Sequence, residues 1–132
     1  MIKAGIIGGA GYTAGELTRL LICHPEVELK WISSTSNAGN RVDSVHKGLI
    51  GETDLVFVAD TPLSEIDVLF LCTPHGFSKP FLEEHKGEIP ESLRIIDLAQ
   101  DFRIADGAHD FVYGLPELNR ERITTATKHI AN

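Results

Sequence analysis

The strongest constraint on the fold lies in residues 2–21, where a short apolar run leads into clustered glycines and then a helical pattern. Ile2 to Ile7 carries β-branched residues without alternation, which predicts a parallel strand buried on both faces. Gly8, Gly9, Gly11 and Gly15 follow. Beyond them Leu17, Leu20 and Leu21 fall on one helical face, and Thr13 and Glu16 have capping-box spacing, placing the helix start at Thr13. A strand, a glycine turn and a helix N-terminus make a cradle for a pyrophosphate, because free N–H groups and the helix dipole favour an anion. Gly8 then permits the tight turn, and Gly11 lets the backbone approach the phosphates without a Cβ. Ala14 and Gly15 are the small residues expected to pack helix on strand. A turn that merely requires glycine is the alternative, because such a turn alone is a weak signal.

The helix is expected to end near Cys23-His24-Pro25, since proline cannot continue it. Leu29 to Ser34 reads as a second strand. A site for an unphosphorylated dinucleotide usually carries an acid at the end of this strand, to bind the ribose hydroxyls. Here the chain has Ser33, Ser34, Thr35, Ser36 and Asn37, then Arg41, and no acid before Asp43. Hydroxyls, backbone amides and an arginine suit a 2′-phosphate, so NADP is favoured over NAD. An ordinary exposed turn is equally rich in such residues.

Residues 38–54 lack a period and read as a long loop, ordered by a ligand. Leu55 to Ala59 is expected as a third strand, Ile66 to Cys72 as a central one and Leu93 to Leu98 as another; His129-Ile130-Ala131 begins a last one. Ser78 is placed as the cap of a short helix through Phe81 and Leu82, and Phe111 to Glu117 reads as turns. Alternating strands and helices predict an α/β fold, a Rossmann-like doubly wound parallel sheet forming a single domain.

The 132 residues suffice for one core, and a net charge of −7 without a basic stripe excludes nucleic acid as a natural partner. No apolar run reaches the length of a membrane span, and the two cysteines lack a pairing framework, which points to a cytoplasmic setting. Six histidines show no ligand spacing, so no metal is expected. His75, in the turn Thr73-Pro74-His75-Gly76 after a buried strand, contacts cofactor or substrate, or packs its turn. Cys23, amid leucines, reads as a buried inert thiol. Cys72 faces the ligand crevice, but no cation or base lies near it in sequence to lower its pKa. Asp97 and Asp101 lie on the same rim, and binding backbone N–H groups is the preferred role of Asp101.

Taken together, Gly8 to Leu17, Thr73-Pro-His-Gly76, Asp97-Leu-Ala-Gln-Asp-Phe-Arg103 and Tyr113-Gly-Leu-Pro-Glu117 resemble, in this order, the N-acetyl-gamma-glutamyl-phosphate reductases. These belong to the wider aspartate-semialdehyde-dehydrogenase-like group. The resemblance covers the whole chain, and the Tyr-Gly-Leu-Pro-Glu segment argues against an aspartate-semialdehyde dehydrogenase. Ala14 replaces a usual glycine and Ala99-Gln100 a usual Ser-Ala pair.

The resemblance implies an NADP-binding domain over residues 1–132, with Gly8, Gly11, Tyr12, Thr13 and Ala14 on the pyrophosphate, Ser34, Ser36 and Arg41 on the 2′-phosphate, and Thr73, Pro74 and His75 beside the nicotinamide. It places the nucleophilic cysteine just beyond Asn132, so no catalytic residue is expected in this chain. A second domain, with a histidine base, substrate contacts and most of the homo-oligomer interface, is expected to be missing. The intact enzyme would form a cysteine thioester from N-acetyl-gamma-glutamyl phosphate, release phosphate and reduce the thioester with NADPH. A stand-alone NADP-binding module without chemistry is the alternative from another class. The face that would pack on the second domain is expected to be an exposed apolar patch.

Overall fold

The computed structural model describes residues 1–104, 107–125 and 128–132. The strands are β1 (Ile2–Ile7), β2 (Val27–Ser33), β3 (Val68–Leu71), β4 (Arg94–Asp97), β5 (Val112–Tyr113) and β6 (His129–Ala131). The α-helices are α1 (Tyr12–Ile22), α2 (Val42–Val45), α3 (Ser78–Glu84) and α4 (Pro116–Thr125). All strand pairs are parallel, in the order β2-β1-β3-β4-β6-β5. The chain therefore leaves β1 toward one edge, returns, and continues on the other side. The expected doubly wound α/β sheet is present.

Strand alternation divides the core between the two faces of the sheet. Ala4, Ile6 and Ile32 point to one face, where Ala14 and Leu21 of α1, Val42 of α2, Leu49 and Phe57 cover them. Ile7, Trp31, Leu69, Leu71, Ile95 and Ala131 point to the other, against Phe81 of α3, Leu63, Phe102 and Phe111. Leu69 and Leu71 are fully buried, and each contributes about 2 kcal/mol. Helices on both faces explain why these strands read as continuous apolar runs.

The segment expected as a loop carries structure. Residues 38–54 contain α2 and a 3₁₀ turn at Lys47–Leu49, with Val42 and Leu49 buried. A helix this short shows no period, which is why the sequence pattern missed it. Leu55 to Ala59 is not a strand of the sheet: Val58 bridges Ser33 and Val56 bridges Arg41, one residue each. Phe111 to Glu117 is likewise more than turns, since Val112 and Tyr113 form β5 and Pro116 opens α4, the position where proline is best tolerated. Cys23 is exposed rather than buried, because it follows the last turn of α1. Exposed large apolar side chains such as Tyr12, Leu20, Phe77, Ile104 and Leu118 are spread over several elements.

Arg41 anchors the 38–54 segment. Its Nε and Nη2 donate to the two carboxylate oxygens of Asp43 at 2.9 and 2.7 Å, and Nη1 donates to Asp54 at 3.2 Å. The guanidinium hydrogen bonds hold the Asp43 carboxyl below its ordinary range. That stabilisation is complete above the unfolded carboxylate pKa of about 4 and is lost as pH falls through the folded value. Asp43→Asn should therefore lower the melting temperature at pH 7, with the gap from the parent closing at pH 3. Melts followed by circular dichroism at both pH values test this. A gap unchanged in acid would mean that Asp43 contributes packing rather than charge.

Candidate active site: a cleft at the carboxyl ends of the strands

The site is built where β1 and β3 lie side by side and the chain reverses its direction of winding. Ile7 ends β1, and Gly8 turns away with φ +81°, a conformation that side chains disfavour. A Cβ on Gly8 would collide with the carbonyl of Cys72, at the end of β3. The Gly9 N–H donates to the Ser33 carbonyl at 2.9 Å, tying the turn to β2 as well. Gly11 then stands as the N-cap of α1, with no side-chain cap. The expected capping box is absent: the helix starts one residue earlier, and Glu16 instead accepts from Arg19 at 2.9 Å. The amides of the first turn are thus left for another acceptor.

A cleft of about 560 Å³ opens in front of this turn. Its walls are Ile7, Gly8, Ala10 and Gly11 from the turn, Ser33 to Ser36 from the end of β2, and Cys72, Thr73, Pro74 and Phe77 from the end of β3. No charged side chain is among them. Of the residues expected on a dinucleotide, Gly8, Gly11, Ser34, Ser36, Thr73 and Pro74 come together here.

The others do not line it. Tyr12 and Thr13 have exposed side chains and offer a ligand only their backbone amides in the first turn of α1, while Ala14 is fully buried, packing helix on sheet. Arg41 is engaged by Asp43 and Asp54, so its guanidinium is not presented to the cleft. His75 is turned to the loop after β4, its Nδ1 accepting from the Gln100 N–H at 3.0 Å. Gly15 does not meet a strand; it faces the ring of His46. Ala10, Thr35 and Phe77 were not singled out in sequence. Ala10 carries no distinctive chemistry, Thr35 belongs to the hydroxyl-rich run after β2 without having been chosen from it, and the only signal for Phe77 was an apolar residue directly after a turn at a strand end.

Glycine at position 11 is informative about what the cleft holds. Its φ of −77° is ordinary, and an added Cβ would come no closer than 3.9 Å to any atom, the Gly8 carbonyl oxygen. The fold does not require glycine there, and its absence of a side chain leaves the backbone open for a ligand to approach. The donor set beside it, free amides and hydroxyls without side-chain charge, fits the phosphates and ribose of a dinucleotide.

The floor of the cleft continues into a buried polar line. Thr73 Oγ1 lies 3.2 Å from Ser78 Oγ, which donates to Asp97 Oδ1 at 2.8 Å; the Ala99 N–H donates to the same oxygen at 3.0 Å. Ser78 therefore does not cap α3. Asp101 does so from the next loop, accepting from the N–H groups of Gly76 at 2.7 Å and Lys79 at 3.1 Å. Partial burial alone would raise the Asp101 pKa, but these N–H groups and the charge of Lys79 outweigh it and hold the carboxyl below its usual range. Asp97 is fully buried, and burial pushes its carboxyl up. Burial, and then the proximity of Asp97, push the Cys72 thiol up to about 12. Cys72 is protonated at neutral pH and is a wall of the cleft, not a nucleophile.

A sequence model described as the semialdehyde dehydrogenase, NAD binding domain matches residues 3–126. The chain belongs to this family. N-acetyl-gamma-glutamyl-phosphate reductases of Bacteroides fragilis and Phocaeicola vulgatus are 65% and 64% identical to it over all 132 residues. That of Flavobacterium johnsoniae is 46% identical over 136 aligned positions. The chain spans about 40% of the length of these relatives. Among solved structures, aspartate semialdehyde dehydrogenase from Francisella tularensis superposes with a TM-score of 0.69 at 21% identity, covering 100% of this chain and 36% of that one. The Candida albicans enzyme, solved with NADP, gives 0.67 at 23% identity, covering 93% of this chain and 36% of that one. At such identities the likeness is one of fold.

Two outcomes follow for this semialdehyde dehydrogenase domain. Gly8→Ala should fail to fold stably, through a strained φ and a backbone collision, whereas Gly11→Ala should melt like the parent and lose dinucleotide binding. Melting curves paired with ligand titrations separate the two; a Gly11→Ala variant that binds normally would show that the cleft holds no ligand at that point. Alkylation with iodoacetamide at pH 8, read by peptide mass, should modify Cys23 first and leave Cys72 largely intact. Faster reaction at Cys72 would contradict its burial and raised pKa.

Proposed function

We propose that this chain is the cofactor-binding part of an NADPH-dependent reductase that converts N-acetyl-gamma-glutamyl phosphate to the corresponding semialdehyde with release of phosphate, in arginine biosynthesis. The observation that carries the reading is the cleft itself: a glycine turn at the switch point, with uncrowded Gly11 lining it and hydroxyls rather than an acid at the end of β2. The substrate is the one for which relatives 63–65% identical to this chain over its full length are named, such as those of Bacteroides fragilis and Parabacteroides distasonis.

In this reading the amides around Gly8 to Gly11 and the dipole of α1 hold the pyrophosphate. Ser34 and Ser36 read the 2′-phosphate, without Arg41. Thr73 and Pro74 flank the nicotinamide, whose reduced form supplies the hydride. Cys72, as a neutral thiol, and Phe77 wall off water. The nucleophilic cysteine, the substrate contacts and the homo-oligomer interface are proposed to belong to the remaining length of the relatives. A small-molecule substrate and a cytoplasmic setting accompany the proposal; among the described residues, no helix is long and apolar enough to cross a membrane.

Calorimetric titration with NADPH and NADH tests it. NADPH should bind at least about tenfold more tightly, a difference of roughly 1.4 kcal/mol, and the Ser34→Ala, Ser36→Ala double variant should narrow that gap. Equal affinities would overturn the NADP preference. No binding of either dinucleotide would overturn the functional reading.

A further inference from the structure

His46 lies outside the cleft, yet it makes a hydrogen bond to the turn that forms it. Its Nε2 sits 2.6 Å from the carbonyl oxygen of Gly9, across 37 residues of sequence. A carbonyl only accepts, so Nε2 carries the proton and donates. The ring is held from several sides. The His46 N–H donates to the Val42 carbonyl at 2.9 Å and its own carbonyl accepts from Leu49 at 2.9 Å, both residues being anchored in the core. Phe57 meets the ring edge-on at 6.2 Å. On the remaining side the ring lies against Gly15, where a Cβ would come within 2.6 Å of Nδ1. Gly15 thus explains itself as room for His46.

The consequence follows from the planarity of the peptide bond. All peptides in the described chain are trans, so the Gly9 carbonyl and the Ala10 N–H belong to one plane and point in opposite directions. With its carbonyl drawn back to His46, the Gly9–Ala10 peptide turns its N–H the other way. Ala10 lines the cleft and His46 does not. Among the described residues the Ala10 N–H meets no backbone acceptor. The flanking peptides are already engaged: the Gly9 N–H donates to the Ser33 carbonyl at 2.9 Å and the Gly11 N–H to the Gly8 carbonyl at 3.5 Å. We infer that His46 is a positioning residue that aims the Ala10 amide at the pyrophosphate of the dinucleotide, and that Gly15 exists to admit its ring. This rests on the dinucleotide reading of the cleft.

Two variants separate aiming from bulk. His46→Phe keeps a ring against Gly15 and Phe57 but removes the donor; His46→Gln replaces the ring with an amide that still donates. Each is titrated by calorimetry with NADPH and with adenosine 2′-monophosphate, which has the 2′-phosphate and no pyrophosphate. Inorganic pyrophosphate is titrated in parallel while the Ala10 amide is followed by NMR. His46→Phe should weaken NADPH about tenfold, leave adenosine 2′-monophosphate unchanged and abolish the pyrophosphate-induced shift of the Ala10 amide, with His46→Gln recovering most of both losses. Unchanged NADPH affinity in His46→Phe would overturn the inference. So would equal losses for NADPH and adenosine 2′-monophosphate, or a His46→Gln variant no better than His46→Phe, since either would make His46 a packing residue only. A parent that moved the Ala10 amide with pyrophosphate but bound no NADPH would refute the dinucleotide reading and leave the role of His46 standing.

Discussion

The structure depends on how closely two parallel strands can run where the chain changes its direction of winding. Gly8 leaves β1 against the carbonyl of Cys72, and that approach has no room for a Cβ. The Cys72 N–H donates to the Ile7 carbonyl at 2.8 Å, so the ladder is still intact one residue before the turn. The chain must therefore bend at Gly8 rather than drift away, and the bend carries the start of α1 over the end of the sheet. From this follow the cleft between β1 and β3 and the uncapped helix N-terminus that faces it. A side chain at position 8 would part the strands, and the cleft with them.

The sheet was largely legible in the chain because its strands are buried on both faces and so appear as apolar runs. Ile2 to Ile7 was placed to the residue, and Val68 to Leu71 within a residue or two at each end. The glycine turn was legible for the same reason of steric economy. What the sequence concealed was chemistry carried by residues far apart along the chain. Ser78 has the right type and place to cap α3, but its hydroxyl turns to Asp97, which is fully buried and needs a donor more than the exposed helix start does. The cap comes from Asp101, whose carboxylate takes the Gly76 N–H in the preceding turn and the Lys79 N–H in the first turn of α3. Arg41 has the right neighbours for reading a phosphate, but two carboxylates lie within its reach, and a bidentate pair with Asp43 takes the guanidinium. Spacing identifies which groups could interact; it does not say which partner is nearer in space.

The cleft also handles charge in a way that composition does not suggest. A chain with net charge −7 is expected to repel a dinucleotide phosphate. Yet its walls carry no carboxylate, and three acids of the surrounding fold are disposed of individually. Asp43 is neutralised by Arg41, Asp101 is spent on the helix start, and Asp97 is pushed toward its neutral form by burial. What remains at the surface of the cleft is a set of dipoles: backbone amides, hydroxyls and the end of α1. Fixed dipoles attract an anion without the desolvation cost of burying a lysine or arginine beside it.

Dipoles are useful only when aimed, and this makes the 38–54 segment part of the site although little of it touches the cleft. Free peptides in a glycine-rich turn rotate easily, and each rotation would turn an amide away from the ligand. Here the turn is held on three sides by residues distant in sequence: the Cys72 carbonyl behind Gly8, the Ser33 carbonyl on the Gly9 N–H, and His46 on the Gly9 carbonyl. The last of these is delivered by α2, whose position depends in turn on Val42, Leu49 and the Arg41 pair. A glycine motif supplies the freedom to adopt such a turn. The conformation it keeps comes from the surrounding fold, and recognition of an anion by neutral groups requires both.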